Sequence, residues 1–159
     1  MQLHLEVRRL FEFRDGKLIY KEAPPFKKQL LGKEAGCDAN GYVIIGIKGK
    51  QYPRSRLVYM WHNGEVNDDL VIDHINRNTY DDRIENLRLA NKTQNAANSV
   101  AHSHRDLPKG VYAYNGRYKA VIKANGATMH IGAYDTPDEA STAYMQEAKA
   151  IHGEFARKE

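Results

Sequence analysis

Four polar side chains between residues 73 and 95 are of types that could bind a metal ion and transfer a proton. Asp73 and His74 are adjacent, Asn86 follows His74, and Asn95 comes last. Phosphodiester hydrolysis needs a hard cation, an activated water and stabilisation of the leaving oxygen. Asp73 and Asn95 offer oxygen ligands suited to Mg²⁺ or Mn²⁺, and His74 is able to take a proton from water near neutral pH. The order therefore favours a metal-dependent nuclease site.

Each of these residues also has a purely structural interpretation. Asp73 and His74 could cap a turn, and Asn86 could be a turn residue. Asn95 could be one of several asparagines on a solvated helix face. In the catalytic interpretation, the side-chain carbonyl of Asn86 holds one imidazole N–H of His74 and so fixes the nitrogen that acts as the base. The joint occurrence of all four in one short segment favours that interpretation.

A strand–loop–strand–helix unit is expected to position these side chains. Apolar strands at residues 70–72 and 87–89 flank a polar loop at 76–82, and a helix follows from about Asn91 to Ser99. Such a unit folds back on itself, so the end of its first strand faces the first helical turns. Residues 70–99 would thereby bring the four side chains together.

The preceding residues are predicted as a β region at 1–54 followed by a helix at 55–63. One hairpin turns at Arg14-Asp15-Gly16, and a second begins with Tyr42–Ile47, turns at Gly49 and continues at Gln51-Tyr52. In the helix, Ser55 is the expected N-cap and Gly64 the stop.

Composition narrows the class of protein further. The 159 residues allow one domain or two small ones, and 42% hydrophobic with 28% charged residues is typical of a soluble globular protein. No apolar run reaches the roughly 20 residues that cross a bilayer, so no membrane partner is expected. The single Cys37 excludes an internal disulfide framework and favours a reducing, cytoplasmic setting. The net charge of +4 permits nucleic-acid binding without requiring it.

The segment VIDHINRNTYDDRIENLRLANKTQNAAN at 71–98 resembles the ββα-metal motif of HNH homing endonucleases, in particular the phage-type subgroup whose last ligand is Asn. The upstream segments LFEFRDGKLIYK and GKEAGCDANGYVIIGIKGKQYPRSRLVYMWHNG resemble the region before that motif, so the resemblance covers about residues 10–100. It implies His74 as general base, Asp73 and Asn95 as ligands of Mg²⁺ or Mn²⁺, and Asn86 orienting His74 directly or through the loop backbone. One metal would bridge the scissile phosphate, leaving 5′-phosphate and 3′-hydroxyl ends.

Two arginines of this region are candidate DNA contacts, Arg56 and Arg88. Arg54-Ser55-Arg56 stands where the family often shows His-Arg before Leu-Val. This departure leaves two roles open for Arg56, a contact with DNA or an anchor for the helix.

The last 50 residues predict a three-stranded antiparallel sheet packed on one helix. Segments with period-2 alternation at 111–114, 118–123 and 129–134 are separated by Asn-Gly turns at Asn115-Gly116 and Asn125-Gly126. A capping box of Thr136 and Glu139 opens the helix. The residues with the parity to face that helix are Val111, Ala113, Ala120, Ile122, Met129 and Ile131.

The opposite face of this sheet combines tyrosines with cations, which suits the DNA major groove and its phosphates. Its members are Tyr112, Tyr114, Lys119, Val121, Lys123, Thr128 and His130, with Arg117 at the edge. The alternative is a plain solvated sheet face. Residues 108–155 resemble the AP2 domain of plant transcription factors, which is also appended to many HNH endonucleases, through Gly110-Val111, the strand end at 131–134, Asp135-Thr136-Pro137 and the alanine-rich helix. Tyr112 and Tyr114 replace the usual arginines of that family.

The sequence as a whole predicts an α+β protein with a nuclease domain at 1–100, a linker at 101–109 and an AP2-like DNA-binding domain at 110–159. The expected partner is double-stranded DNA, bound by a monomer or a DNA-induced dimer. The resemblance to phage-type enzymes implies a phage-encoded protein in the cytoplasm of a bacterial host, or a bacterial protein. The alternatives are a catalytically inactive DNA-binding or regulatory protein, and an interaction module that leaves the polar cluster unexplained.

Overall fold

The computed structural model describes residues 2–98, 106–124 and 126–156. The chain divides into two compact units, Met1–Ala90 and Asn91–Glu159. Some predicted segments extend beyond the described ranges: Ser99 at the end of the predicted helix, residues 101–105 of the predicted linker, Asn125 of the second Asn-Gly turn, and residues 1, 100 and 157–159 of the predicted domains.

The first unit begins with a helix where the sequence analysis predicted only strands and turns. This helix, α1, spans Leu3–Leu10. Leu3, Leu5 and Val7 alternate as in a strand, but Val7 is completely buried while Leu5 is 49% exposed. The apolar contacts of α1 therefore follow the helical spacing of Leu3, Val7 and Leu10, which pack into one core. The prediction of a β region for these residues was wrong because both periods fit so short a segment.

Tight hairpins build the rest of the N-terminal half of this unit. The predicted first hairpin is confirmed as β1 (Phe11–Arg14) and β2 (Lys17–Tyr20). Its turn residues Asp15 and Gly16 both have positive φ, 44° and 77°, which is the geometry that matches the twist of hairpin strands. A short 3₁₀ segment follows at Lys28–Leu30.

The second hairpin is part of a three-stranded antiparallel sheet. The sheet contains β3 (Cys37–Ala39), β4 (Tyr42–Ile47) and β5 (Lys50–Pro53) in that order. The two later strands match the prediction, whereas β3 was not predicted. The signal for it is Asn40-Gly41, whose φ values of 53° and 81° form the turn between β3 and β4.

Helix α2 spans Arg54–Asn63 and contributes Leu57 and Val58 to the core. It ends at Gly64, as predicted. The predicted N-cap Ser55 is instead the second helical residue, because Pro53 occupies the N-cap position and no side chain caps the helix. The buried apolar residues of this core come from α1, the hairpins, the segment before β3, α2 and the strand that begins at Leu87: Val7, Phe11, Leu18, Ala35, Ile45, Ile47, Leu57, Val58 and Leu87.

The last part of the first unit is a two-stranded antiparallel ribbon. It pairs β6 (Val71–His74) with β7 (Leu87–Ala90), and Ile84–Asn86 forms a 3₁₀ turn just before β7. In the register, Asp73 stands opposite Arg88 and His74 opposite Leu87. Both strands of the predicted strand–loop–strand segment are therefore confirmed.

The second unit begins with α3 (Lys92–Asn98), which is the helix predicted to complete the ββα-metal segment. Its sheet contains β8 (Val111–Tyr114), β9 (Arg117–Ala124) and β10 (Ala127–Tyr134), all antiparallel, with β9 in the middle. Helix α4 spans Pro137–His152 and is followed by a 3₁₀ turn at Gly153–Phe155. The predicted capping box of Thr136 and Glu139 is present at its start.

One face of this sheet packs on α4, largely as the alternation predicted. The core consists of Val111, Ala120, Ile122, Ala140, Tyr144 and Ala148, with Ile131 packed against it. Ala113 and Met129 are exposed, contrary to their expected burial. Met129 stands opposite Ile122 in the register, so its parity is right, but α4 leaves this part of the face uncovered. The register shifts between His130 and Gly132, which is a β-bulge at Ile131.

Among the described residues of both units, no helix combines the length and the apolar character needed to cross a membrane.

Candidate active site

Asp73 and His74 are the last two residues of β6 and are both buried. The carboxylate of Asp73 accepts a hydrogen bond from Nε of Arg88 across the ribbon, at 2.8 Å. Arg88, a predicted DNA contact, is thus an ion-pair partner of the predicted metal ligand, with a side chain that is only 12% exposed. A cation on Asp73 would share its carboxylate with this guanidinium.

His74 lies at the end of a buried chain of hydrogen bonds. Its Nε2 is 2.7 Å from Oδ1 of Asp82, and the other carboxylate oxygen of Asp82 accepts a 2.6 Å hydrogen bond from Nε of Arg54. The side chains of His74, Asp82 and Arg54 are 5%, 1% and 4% exposed. Because a carboxylate accepts and does not donate, this contact places the imidazole proton on Nε2 of His74.

The chain continues from Arg54 to Glu34, at the end that is open to solvent. Nη1 of Arg54 donates to Oε1 of Glu34 at 2.6 Å, and Nη2 donates to the carbonyl of Tyr80 at 3.1 Å. A hydrogen bond from Lys17 is the main reason that the pKa of Glu34 lies below its ordinary value. Each of the three guanidinium nitrogens of Arg54 therefore donates to a carboxylate or a carbonyl oxygen.

Asn86 fastens the two ends of the loop that runs from His74 to Asp82. Its Oδ1 accepts from the backbone N–H of Asn76 at 2.9 Å, and its Nδ2 donates to the carbonyl of Asp81 at 2.7 Å. The described contacts of Asn86 thus reach the loop and not the imidazole, so they correspond to the alternative in which Asn86 acts through the loop backbone. The same loop is held at Thr79, whose hydroxyl donates to the carbonyl of Gly41.

Arg56 anchors the segment that follows α2. Its guanidinium donates to the carbonyls of Leu70, Val66 and Asn67 at 2.9, 3.0 and 3.2 Å, and to the side chain of Asp68 at 2.9 Å. These bonds correspond to the anchoring alternative of the sequence analysis. A contact between Arg56 and DNA stays a prediction.

The predicted fourth residue, Asn95, lies on α3 in the second unit, while Asp73, His74 and Asn86 lie in the first. Its role as a metal ligand stays a prediction. Within the described ranges, no three His, Cys, Asp or Glu side chains are grouped as a protein-only metal cage would require. This donor chemistry still fits Mg²⁺ or Mn²⁺, because Mg²⁺ is usually held by one or two carboxylates together with waters and substrate phosphates.

The second candidate surface is the face of the C-terminal sheet that points away from α4, here called the open sheet face. The register places Tyr112 opposite Lys119 and Tyr114 opposite Arg117. The ammonium of Lys119 lies 5.0 Å from the ring centroid of Tyr114, a cation–π contact. Arg117 is paired with Asp135 at 2.7 Å. The remaining predicted contacts, Lys123 and His130, are exposed on the same face.

Sequence reasoning missed two residues of the buried chain, Arg54 and Asp82. Arg54 was noted only in the string Arg54-Ser55-Arg56 and Asp82 only as the end of the polar loop at 76–82. The sequence offers only one weak signal, the acidic pair Asp81-Asp82 inside the motif segment. Pairing of two residues 28 positions apart has no periodic signature, so only the tertiary structure brings it out.

Part of the first unit is similar to a known protein family. Residues 52–97 match the family described as HNH endonuclease. This segment is therefore similar to the HNH endonuclease domain, which belongs to nuclease-type hydrolases that typically use a divalent metal. The match ends before the C-terminal sheet begins at Val111.

A relative supports the same class. An uncharacterized HNH endonuclease of Acanthamoeba polyphaga mimivirus is 32% identical over 130 residues, which cover 81% of this chain and 65% of the relative. The chain thus spans just under two thirds of the length of this curated relative. No solved structure gives a significant match.

Proposed function

We propose that this protein is a divalent-metal-dependent endonuclease that hydrolyses phosphodiester bonds of duplex DNA. The observation that carries the proposal is the buried His74, which lies beside Asp73 at the end of β6 and is hydrogen-bonded through Nε2. Both residues fall inside the segment that matches the HNH family. An imidazole with a fixed orientation next to a carboxylate suits activation of water beside a hard cation.

The proposed chemistry divides between the side chains of the motif. His74, with the proton on Nε2, accepts a proton from the attacking water at Nδ1. Asp73 and Asn95 would hold a cation, Mg²⁺ or Mn²⁺, which would supply positive charge for the phosphate and the departing 3′ oxygen. Asn86 keeps the loop after His74 closed and so preserves the position of the base. The products are 5′-phosphate and 3′-hydroxyl ends.

The open sheet face is proposed as an additional DNA-binding surface, in keeping with the AP2-like pattern of residues 108–155. Its lysines and Arg117 would contact phosphates, while Tyr112 and Tyr114 would pack against the groove. The proposal includes the homing or phage type of enzyme and action in the cytoplasm of a bacterial host, which rest on the sequence resemblance alone. Binding as a monomer or a DNA-induced dimer follows from one site per chain.

The function is tested with supercoiled plasmid DNA and purified protein. Wild-type protein in Mg²⁺ or Mn²⁺ is expected to convert the plasmid to open-circular or linear product, and excess EDTA is expected to abolish conversion. Labelling of the product ends should find 5′-phosphates. Binding of the plasmid without cleavage in any divalent metal would instead identify a catalytically inactive DNA-binding protein and refute the proposal.

A further inference from the structure

The contact between His74 and Asp82 has a chemical consequence beyond holding the fold. An imidazole has two nitrogens, and only the one without a proton is able to act as a base. Asp82 accepts from Nε2 at 2.7 Å, so the base atom is Nδ1. The carboxylate that faces Nε2 therefore determines which nitrogen performs the chemistry.

We propose that Asp82 is a positioning residue for His74: it holds the ring and keeps the proton on Nε2, so that Nδ1 faces the reaction. This role rests on the proposed nuclease function. Asp82 itself touches neither DNA nor metal in this assignment, and acts only through His74.

Arg54 makes the orientation of Asp82 unambiguous. Its Nε is a donor only and lies 2.6 Å from Oδ2 of Asp82. Its other nitrogens are bound by Glu34 and the carbonyl of Tyr80. One oxygen of Asp82 thus faces an obligatory donor, which leaves the second oxygen for His74.

The backbone around Asp82 is also fixed by its neighbours. A methyl group at Gly16 would lie 2.9 Å from the backbone nitrogen of Arg83 and 3.1 Å from the carbonyl carbon of Asp82. The turn between β1 and β2 therefore packs directly on the peptide after Asp82. On the other side, Asn86 binds the carbonyl of Asp81. The carboxylate thus stands on a backbone that is constrained from both sides.

Replacement of Asp82 by Asn is expected to move the imidazole proton of His74 from Nε2 to Nδ1. Because Nε of Arg54 requires an acceptor, the amide oxygen should turn towards Arg54, and the amide NH₂ should then face Nε2 of His74. A donor at that position forces the imidazole proton onto Nδ1, which removes the base. The substitution is isosteric, so the tautomer changes while the packing is retained.

The experiment compares wild-type protein with Asp82→Asn, Asp82→Glu and a matched control, Glu65→Gln. The control removes another His–carboxylate contact, between Nδ1 of His4 and Glu65 at 2.9 Å. Steady-state plasmid cleavage and DNA affinity are measured for each protein at one fixed pH. The ¹⁵N chemical shifts of the imidazole of His74 report which nitrogen carries the proton, and His74→Ala assigns that signal.

For Asp82→Asn, kcat should fall by about 100-fold or more, the lower end of what a positioned base contributes, with KM and DNA affinity unchanged. The proton of His74 should move to Nδ1. Asp82→Glu, which restores a carboxylate, should keep the proton on Nε2 and retain more of kcat. Glu65→Gln should match wild-type protein.

Wild-type kcat in Asp82→Asn would overturn the positioning role, as would loss of kcat with the proton still on Nε2. The wild-type spectrum tests the role without any variant, because a proton on Nδ1 of His74 would contradict it. If wild-type protein itself fails to cleave DNA, the proposed function fails, and that result is distinct from an active Asp82→Asn protein.

Discussion

At the scale of single residues, Arg54 carries a buried positive charge whose donors meet two carboxylates and one carbonyl. Burial of a charge is costly unless it is paired and hydrogen-bonded. The chain from Glu34 through Arg54 and Asp82 to His74 meets this requirement. It also links the solvent-exposed side of the first unit to the imidazole.

Arg54→Met is expected to destabilise the protein by about 3–5 kcal/mol, because the buried carboxylate of Asp82 would lose its cation. Urea unfolding followed by circular dichroism measures this change. The matched control is Arg14→Met, which breaks the exposed ion pair with Glu12 and should leave the free energy of unfolding close to that of wild-type protein, because water screens exposed charges. An equal decrease in the free energy of unfolding for the two variants would show that the buried contacts of Arg54 do not stabilise the protein more than an exposed ion pair does.

Of the predicted site, the adjacency of Asp73 and His74 at the end of β6 is the part that the sequence alone determines. Asp73 and His74 are adjacent in sequence, so their proximity needs no tertiary information. Asp82 and Arg54 meet only because α2 packs against the loop after β6, and sequence spacing does not record that contact. The same holds for Arg88, which was predicted as a DNA contact and pairs with Asp73 across the ribbon.

At the scale of elements, local turn chemistry explains which strands were predicted. Asp15-Gly16 and Asn115-Gly116 specify hairpin turns through residues that tolerate positive φ. Neighbouring strands are then aligned without long-range information. Helix α1 was missed because the alternation of Leu3, Leu5 and Val7 also fits a strand. Only its packing on α2 and β1 selects the helix.

The start of β8 depends on a close approach between a glycine and an aromatic ring. Gly110 has a φ of 75°, and a methyl group there would lie 2.2 Å from the ring of Tyr144. Gly110→Ala should therefore destabilise the second unit through both backbone strain and a steric clash. Gly116→Ala is the control, because its φ is 73° and, apart from its chain neighbours, no atom of the described residues would lie within 4 Å of the added methyl group.

The control variant Gly116→Ala measures only the strain of an alanine at positive φ, which should destabilise the protein by about 1 kcal/mol. The clash should add about 1–3 kcal/mol for Gly110→Ala. Thermal unfolding of both variants measures the difference. Equal midpoints would mean that Tyr144 moves away freely and that the approach of α4 to β8 is not tight.

At the scale of the whole molecule, the net charge of +4 is modest, so the distribution of cations decides how DNA is bound. The open sheet face combines Lys119, Lys123 and two exposed tyrosines, whereas its opposite face packs on α4. If this face binds phosphates, its lysines release counterions when DNA binds.

The double variant Lys119→Ala/Lys123→Ala should weaken DNA binding and reduce the slope of log K against log salt by about 1–2, since each phosphate contact contributes about 0.9. Fluorescence anisotropy over a salt series measures this slope. Lys149→Ala, an exposed cation on α4, is the control and should leave the slope unchanged. An unaltered slope in the double variant would exclude the open sheet face as a phosphate-binding surface.

The boundary between the two compact units lies after Ala90, ten residues before the predicted end of the nuclease domain. The sequence analysis assigned residues 91–99 to the nuclease domain, whereas α3 falls in the same compact unit as the C-terminal sheet. Within that unit, Nζ of Lys109 donates to the carbonyls of Ala96 and Ala97 at 2.8 and 2.6 Å. This contact between the predicted linker and the end of α3 could not be predicted, because the local pattern of apolar and polar residues does not record it.

The central claim is that His74 activates the water that cleaves DNA. Single-turnover cleavage of supercoiled plasmid in saturating Mg²⁺ tests it most directly, with DNA affinity measured in parallel. His74→Ala should slow cleavage by about 10²- to 10⁴-fold and leave DNA affinity intact, while His4→Ala, an imidazole outside the motif, should cleave at the wild-type rate. Cleavage by His74→Ala at the wild-type rate would contradict the account.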